Sequence, residues 1–257
     1  MWNRLIDVYR SSVKPQDTIF NVYFARPLAT PFVLVFERMG LSPNQVTLVG
    51  LLLMALSAVT WCVPALDLVL RSPSFHLYLG LILLELAYIF DCVDGQLARR
   101  LSLSSDLGAT LDFLMDELKA FLMIGSLCVF WWSTDPSTSE ALFWGIGGVI
   151  SSAGAISLTR FIRSDEMQSS GLVSMSKHGD SAKTRARKGP FWLLILPARF
   201  ITQYPQSLPI FVLANRVQWF VMLYTGLHFT YALGRLGQIF VRLFKPVSNS
   251  PGNARDF

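Results

Sequence analysis

Apolar residues gather into six long runs along this chain, at about 46–66, 75–94, 107–132, 141–161, 190–213 and 217–240. A hydrocarbon layer about 30 Å thick is crossed by a helix of roughly 20 such residues. Each run has that length, so the pattern predicts an all-α, polytopic membrane bundle of six transmembrane helices. Pro64 and the Asp67–Ser74 stretch part the first two runs, and Ser133–Glu140, with Pro136, parts the third from the fourth. Pro197, Arg199, Pro205 and Pro209 interrupt the fifth, which predicts a broken element lying partly in the interface. Residues 1–41 contain no such run. Trp2, Leu5, Ile6 and Tyr9 share one face of 2–10, while the aromatic stretch 18–36 is cut by Pro27 and Pro31. One or two amphipathic helices lying in the cytoplasmic interface are expected there, with a short helix packed on the bundle as the alternative. The organisation expected is an interfacial segment (1–41), a six-span membrane domain (42–245) and a cytoplasmic tail (246–257).

Composition supports the membrane reading. Of 257 residues, 52% are hydrophobic and 15% charged, against roughly 45–50% and about 25% in soluble domains. That excludes disorder and a disulfide-rich scaffold. Cys62, Cys92 and Cys128 form no CxxC pair, and His76, His178 and His228 are scattered, so neither a disulfide framework nor a zinc site is expected. No signal peptide is expected ahead of the first run. The net charge of +5 matters less than its distribution. Arg4, Arg10, Lys14, Arg26 and Arg38 precede the first run, Arg99 and Arg100 follow the second, and Arg160, Arg163, Lys177, Lys183, Arg185, Arg187 and Lys188 follow the fourth. Arg242, Lys245 and Arg255 follow the sixth, whereas the alternate connections hold only Arg71 and Arg216. By the positive-inside rule both termini are cytoplasmic, in the inner membrane if the cell is bacterial. Aromatic clusters at 130–132, 143–144, 191–192 and 219–220 read as interfacial anchors.

The chemistry lies in acids at the ends of two apolar runs. Intramembrane carboxylates are expensive and mark function. Asp91, Asp94, Gly95 and Ala98 fall on one helical face, and Gly108, Asp112 and Asp116 on one face of the next helix. A connection of about a dozen residues predicts that the two helices are antiparallel neighbours, so that four carboxylates converge. They cannot all stay ionised in a low dielectric without compensating charge. Lys119 and Arg99 read as too few and too far along the helices to supply it. Divalent cations do, and all-oxygen ligands select hard metals such as Mg²⁺, Mn²⁺ or Ca²⁺. Two metals about 3.5–4 Å apart are a recurrent device for displacement at phosphorus. The small residues leave room for a ligand, and Arg99 is placed to meet a phosphate.

Residues 91–116 read D-x2-D-G-x2-A-R-x8-G-x3-D-x3-D. This resembles the signature of the CDP-alcohol phosphotransferases (CDP-alcohol phosphatidyltransferases) at all eight fixed positions. Ser42-Pro43-Asn44-Gln45-Val46-Thr47 is similar to a weaker Pro-Asn-x-x-Thr element of that family. The resemblance implies transfer of a phospho-alcohol group from a CDP-linked donor to an acceptor hydroxyl, with release of CMP, in phospholipid biosynthesis. It implies that Asp91, Asp94 and Asp112 ligate metal, that Asp116 lies beside the metals as general base, and that Gly95, Ala98, Arg99 and Gly108 line the CDP site. Mg²⁺ is the expected cofactor, as two ions, with Mn²⁺ as a substitute. The expected partners are the donor, the alcohol acceptor and membrane lipids, with a homodimer as the assembly and no nucleic acid.

Other residues carry weaker expectations. Asn44 and Thr47 either hydrogen-bond the nucleotide or cap the first span. Glu85 is expected to pair with Lys119, and Glu117 to contact a neighbouring helix. Arg160 and Arg163, at i and i+3 after the fourth run, are expected to meet an anionic acceptor. Two other readings remain open at this point: the same chemistry with a soluble CDP-polyol such as CDP-inositol and a phosphorylated polyol acceptor, and a cation transporter that uses the four acids as its pathway.

Overall fold

A computed structural model describes residues 2–12, 18–66, 72–103, 105–136, 139–164 and 191–244. Among them every regular element is helical: α1 (Trp2–Ser12), a π-helical turn (Asn21–Ala25), α2 (Arg26–Met39), α3 (Pro43–Cys62) with a 3₁₀ extension (Val63–Leu66), α4 (Pro73–Arg100), α5 (Asp106–Thr134), α6 (Glu140–Arg163), α7 (Phe191–Thr202), α8 (Tyr204–Leu213) and α9 (Val217–Leu243). Pro43–Leu66, Pro73–Arg100 and Glu140–Ile162 are long and apolar enough to cross a membrane. At 29 and 27 residues, α5 and α9 match them in length. The fifth run is two helices, α7 and α8, parted at Gln203, with Pro197 inside one and Pro209 inside the other.

Local sequence explains the ends of these helices. Ser42 caps α3 through a capping box, in which its hydroxyl accepts from Gln45 N (3.3 Å) and Gln45 Oε1 accepts from Ser42 N (2.8 Å). That overturns a capping role for Asn44 or Thr47. Gly40 ends α2 at φ +70°, where a side chain would be strained. Proline does not cut the N-terminal segment as expected. Pro27 falls in the first turn of α2, where no amide hydrogen is needed, and Pro31 is carried inside the helix.

The packing forms two apolar clusters. In the larger, Trp61 of α3, Leu84 of α4, Ile124 and Leu127 of α5, Leu208 of α8 and Phe220 of α9 meet. The smaller joins Val8 of α1, Ala29 and Val33 of α2, Val46 of α3, and Phe90, Val93 and Leu97 of α4. The N-terminal helices thus close over one end of α3 and α4. Small residues bring α3 and α4 together: Ser57 donates to Gly80 O (2.7 Å), and the Trp61 indole lies over Gly80 and donates to Leu77 O (3.1 Å). Leu52, Leu56 and Val59 of α3 and Phe143, Ile146 and Ile150 of α6 face outward, as a lipid-facing surface requires.

The aromatic clusters are not all anchors. Phe130, Trp131 and Phe220 are buried, whereas Trp132, Phe143 and Trp219 are exposed. Consecutive residues on a helix point about 100° apart, so a pair divides between the core and the surface. The side chains of Phe191 and Trp192 lie outside the described residues, as do the basic segment 165–190, Arg71 and residues from 245 onward.

Candidate active site

The two halves of the acidic motif lie on continuous helix. Instead of ending with the apolar run at 94, α4 continues through Asp91, Asp94 and Ala98 to Arg100. Ser105 caps α5, accepting from Gly108 N at 3.0 Å, so Gly108, Asp112 and Asp116 follow on the first turns of that helix. The expected side-by-side pairing of these helices needs correction. Among the described residues α4 and α5 make almost no direct backbone contact, and both pack on α3. Gly50 of α3 draws α4 in, since a Cβ there would lie 3.4 Å from Ala87 O. The result is a cleft between the acid-bearing helices that side chains bridge, as Lys119 of α5 does to Asp91 of α4.

Carboxylates meet across that cleft. Asp91, Asp112 and Asp116 each offer an oxygen, and these atoms lie within 4.8 Å of one another. Three anionic oxygens from two rigid helices form a donor set of the hard, all-oxygen kind that a divalent cation needs, so the residues fit a metal of this type. Asp94 stands apart from the trio. It is 5% exposed and accepts a 2.6 Å hydrogen bond from the hydroxyl of Thr47, itself buried in α3. Thr47 therefore reaches a carboxylate in the motif.

Lys119 is the largest departure from the sequence reading. Its side chain is 2% exposed, and its ammonium contacts Asp91 Oδ1 as well as Asp116 Oδ1, the latter at 3.3 Å. Helical side chains lean toward the N-terminus, so a four-carbon stem at 119 reaches back to the level of Asp116. The expected Glu85–Lys119 pair is absent, and Glu85 Oε1 is buried without a hydrogen-bond partner. The signal that could have revealed this contact was the i,i+3 spacing of Asp116 and Lys119.

The remaining candidates lie along α3, α4, α5 and α6. Arg99 is half-buried, and its Nη1 lies 3.4 Å from where a Cβ on Gly95 would sit, so the guanidinium folds over that glycine. A Cβ on Gly108 would lie 3.2 Å from Ser105 Oγ and 3.7 Å from Asn44 Oδ1, which puts exposed Asn44 at the start of α5. Ala98 is half-buried on the face of Asp91 and Asp94. The guanidinium of Arg160 lies 5.8 Å from the centre of the Phe113 ring, one residue beyond Asp112. Arg163 is the last residue of α6, and its side chain lies outside the described residues. Two neighbours had no sequence signal. Tyr88, one turn before Asp91, donates to Asn21 Oδ1 (2.5 Å) in the π-helical turn. Arg235 of α9 donates to the Tyr231 hydroxyl (2.8 and 2.6 Å), which meets Thr159 beside Arg160 (3.2 Å).

Comparison with known proteins agrees with the all-helical fold. The family model for CDP-alcohol phosphatidyltransferase matches residues 40–231, and the chain belongs to that family. With three helices able to span a bilayer, it is an integral membrane protein. It is 34% identical over 120 residues to an uncharacterized protein of Aquifex aeolicus, a match covering 45% of this chain and 53% of that one. It is 30% identical over 111 residues to a phosphatidylinositol phosphate synthase of Streptomyces avermitilis, covering 43% of this chain and 41% of the relative. The matches thus span about half the length of these relatives. The fold is similar to that of the Mycobacterium tuberculosis phosphatidylinositol phosphate synthase, solved with CDP-DAG bound. The TM-score is 0.53 at 19% identity, over 89% of this chain and 98% of that one.

Proposed function

We propose that this protein transfers a phospho-alcohol group from a CDP-linked donor to an acceptor hydroxyl and releases CMP. The observation that carries the proposal is the convergence of Asp91, Asp112 and Asp116 from two helices, with Asp94 one turn beyond Asp91 on α4 and held by Thr47. Asp91, Asp94, Asp112 and Asp116 would hold divalent metal, with Mg²⁺ as two ions the reading favoured by the number of acids. Bound there, the metal would neutralise charge on the donor diphosphate as CMP departs. The chain's own residues do the rest. Arg99 pairs with diphosphate oxygens. Gly95, Ala98, Gly108 and Asn44 border the space for the cytidine diphosphate. Asp116, whose side chain is 56% exposed, takes the proton of the acceptor hydroxyl. The acceptor oxygen then bonds to the phosphorus next to the donor alcohol, the bond from that phosphorus to the CMP oxygen breaks, and CMP leaves. Arg160 and Arg163 meet an anionic group on or beside the acceptor.

The site lies at the ends of helices of membrane-spanning length, which suits a lipid donor entering sideways and a nucleotide in water. CDP-diacylglycerol is the donor class we favour, in keeping with the ligand named for the tuberculosis structure. Six crossings, cytoplasmic termini, a 42–245 membrane domain and a homodimer complete the proposal.

Purified protein in lipid nanodiscs, given CDP-diacylglycerol or soluble CDP-alcohols with free and phosphorylated polyol acceptors, tests it through CMP release. Release that needs a divalent ion and stops with chelator is expected. Asp91→Asn, Asp94→Asn and Asp112→Asn should each abolish turnover with the fold intact, while Asp116→Asn abolishes turnover but keeps donor binding. No divalent-dependent CMP release from any donor, or near wild-type turnover in two of these variants, refutes the reading. Divalent flux into liposomes without CMP release would mark a transporter instead.

A further inference from the structure

Lys119 holds a position that the transfer chemistry alone does not require. It comes up from inside the bundle, 2% exposed, one turn deeper on α5 than Asp116, and its ammonium meets two of the three converging carboxylates. The cleft opens on the other side, where the Asp116 side chain is 56% exposed and that of Asp91 20%. The acids therefore have a cation of their own at the floor of the site. We propose that Lys119 is a positioning residue, a built-in counter-cation that keeps Asp91 and Asp116 drawn together without metal and competes with divalent metal for the same two carboxylates. This inference rests on the proposed metal-dependent transfer.

The argument is electrostatic. With Asp91, Asp94, Asp112 and Asp116 ionised, the formal charge of the cluster is −4, and Lys119 brings it to −3. An ammonium in direct contact with two carboxylates lowers the negative potential that draws in a divalent ion. It also occupies a lone pair on each oxygen, so binding metal there must displace or share these contacts. The gain is preorganisation: two like charges from separate helices are kept in ligand geometry rather than splayed by repulsion. Removing the cation should therefore tighten metal binding but loosen the metal-free site.

Mn²⁺ binding to the purified full chain in nanodiscs, followed by the loss of the free-ion EPR signal, tests this without substrate. Lys119→Met should bind Mn²⁺ about tenfold or more tightly than wild type, because a unit positive charge a few ångströms from a divalent ion repels it by more than the about 1.4 kcal/mol that a tenfold change represents. It should also gain more thermal stability from Mn²⁺ than wild type does. If Lys119→Met does not fold, Lys119→Gln, which keeps a donor for the carboxylates but no charge, should show the same tightening. Lys119→Arg should return to wild-type affinity, and Glu85→Gln, which removes an acid that does not contact Lys119, should leave it unchanged. Equal or weaker Mn²⁺ binding in the uncharged variants overturns the proposal. Tight binding that Lys119→Arg fails to reverse also overturns it, since size rather than charge would then be the cause. If wild type binds no Mn²⁺ and Asp91→Asn changes nothing, the metal-dependent reading fails along with it.

Discussion

Replacing Thr47 with Val removes a single buried hydroxyl and almost no volume. Thr47 Oγ1 has two acceptors within reach, Asp94 Oδ2 at 2.6 Å and its own helix carbonyl, Pro43 O, at 3.1 Å. A hydroxyl carries one hydrogen, and the shorter contact to an anion takes it. Both partners are 5% exposed, so water cannot replace the lost donor. A hydrogen bond to a charged group contributes about 1.5–3 kcal/mol, and leaving a buried charge short of a partner costs a similar amount. At about 1.4 kcal/mol per tenfold, the loss corresponds to roughly 10–100-fold in metal affinity or turnover, the range seen when partners of metal ligands are removed. Divalent-dependent CMP release and Mn²⁺ titration on Thr47→Val, with Thr47→Ser as the variant that keeps the hydroxyl, measure it. A Val variant within about threefold of wild type in both measurements would mean that Asp94 needs no partner, and its place in the metal set would fall.

Replacing both Arg160 and Arg163 with Ala should raise the acceptor KM much more than the donor KM, whereas replacing Arg185 and Arg187 in the loop should change neither, and equal effects from the two pairs would assign all four to membrane topology. Gly80→Ala drives a methyl into the Trp61 indole, which is fully buried and tied to Leu77 O; overpacking of this kind costs about 1–3 kcal/mol, and a lower melting temperature with little change in KM is the expected readout.

The tertiary structure redistributed roles that the sequence had given to single residues. Thr47 and Asn44 looked alike as polar residues at the head of an apolar run, but the capping box already satisfies that helix end. Thr47 turns inward to Asp94, while Asn44 turns toward Gly108. No periodicity within one helix specifies such a pairing, because it depends on how α3 is rotated against α4. Glu85 and Lys119 looked like complementary charges on facing helices, yet the Lys119 stem leans toward the start of α5 and its ammonium reaches Asp91 and Asp116 instead.

What the sequence determined by itself is everything governed by local rules. Length and hydropathy of the apolar runs defined the helices, because a backbone in lipid must satisfy its own hydrogen bonds. Helical periodicity placed Asp91 with Asp94 and Asp112 with Asp116 on shared faces, and the spacing of small and charged residues marked a site for chemistry at phosphorus. Helix-to-helix geometry was decided only in three dimensions. The convergence of Asp91, Asp112 and Asp116, the exclusion of Asp94 from that trio, and the burial of Lys119 among the acids each depend on the separation and rotation of α3, α4 and α5. Close packing at Gly50, Ser57 and Gly80 sets how α3 meets α4, and α5 packs on α3 in turn, a long-range property that the acidic motif does not encode.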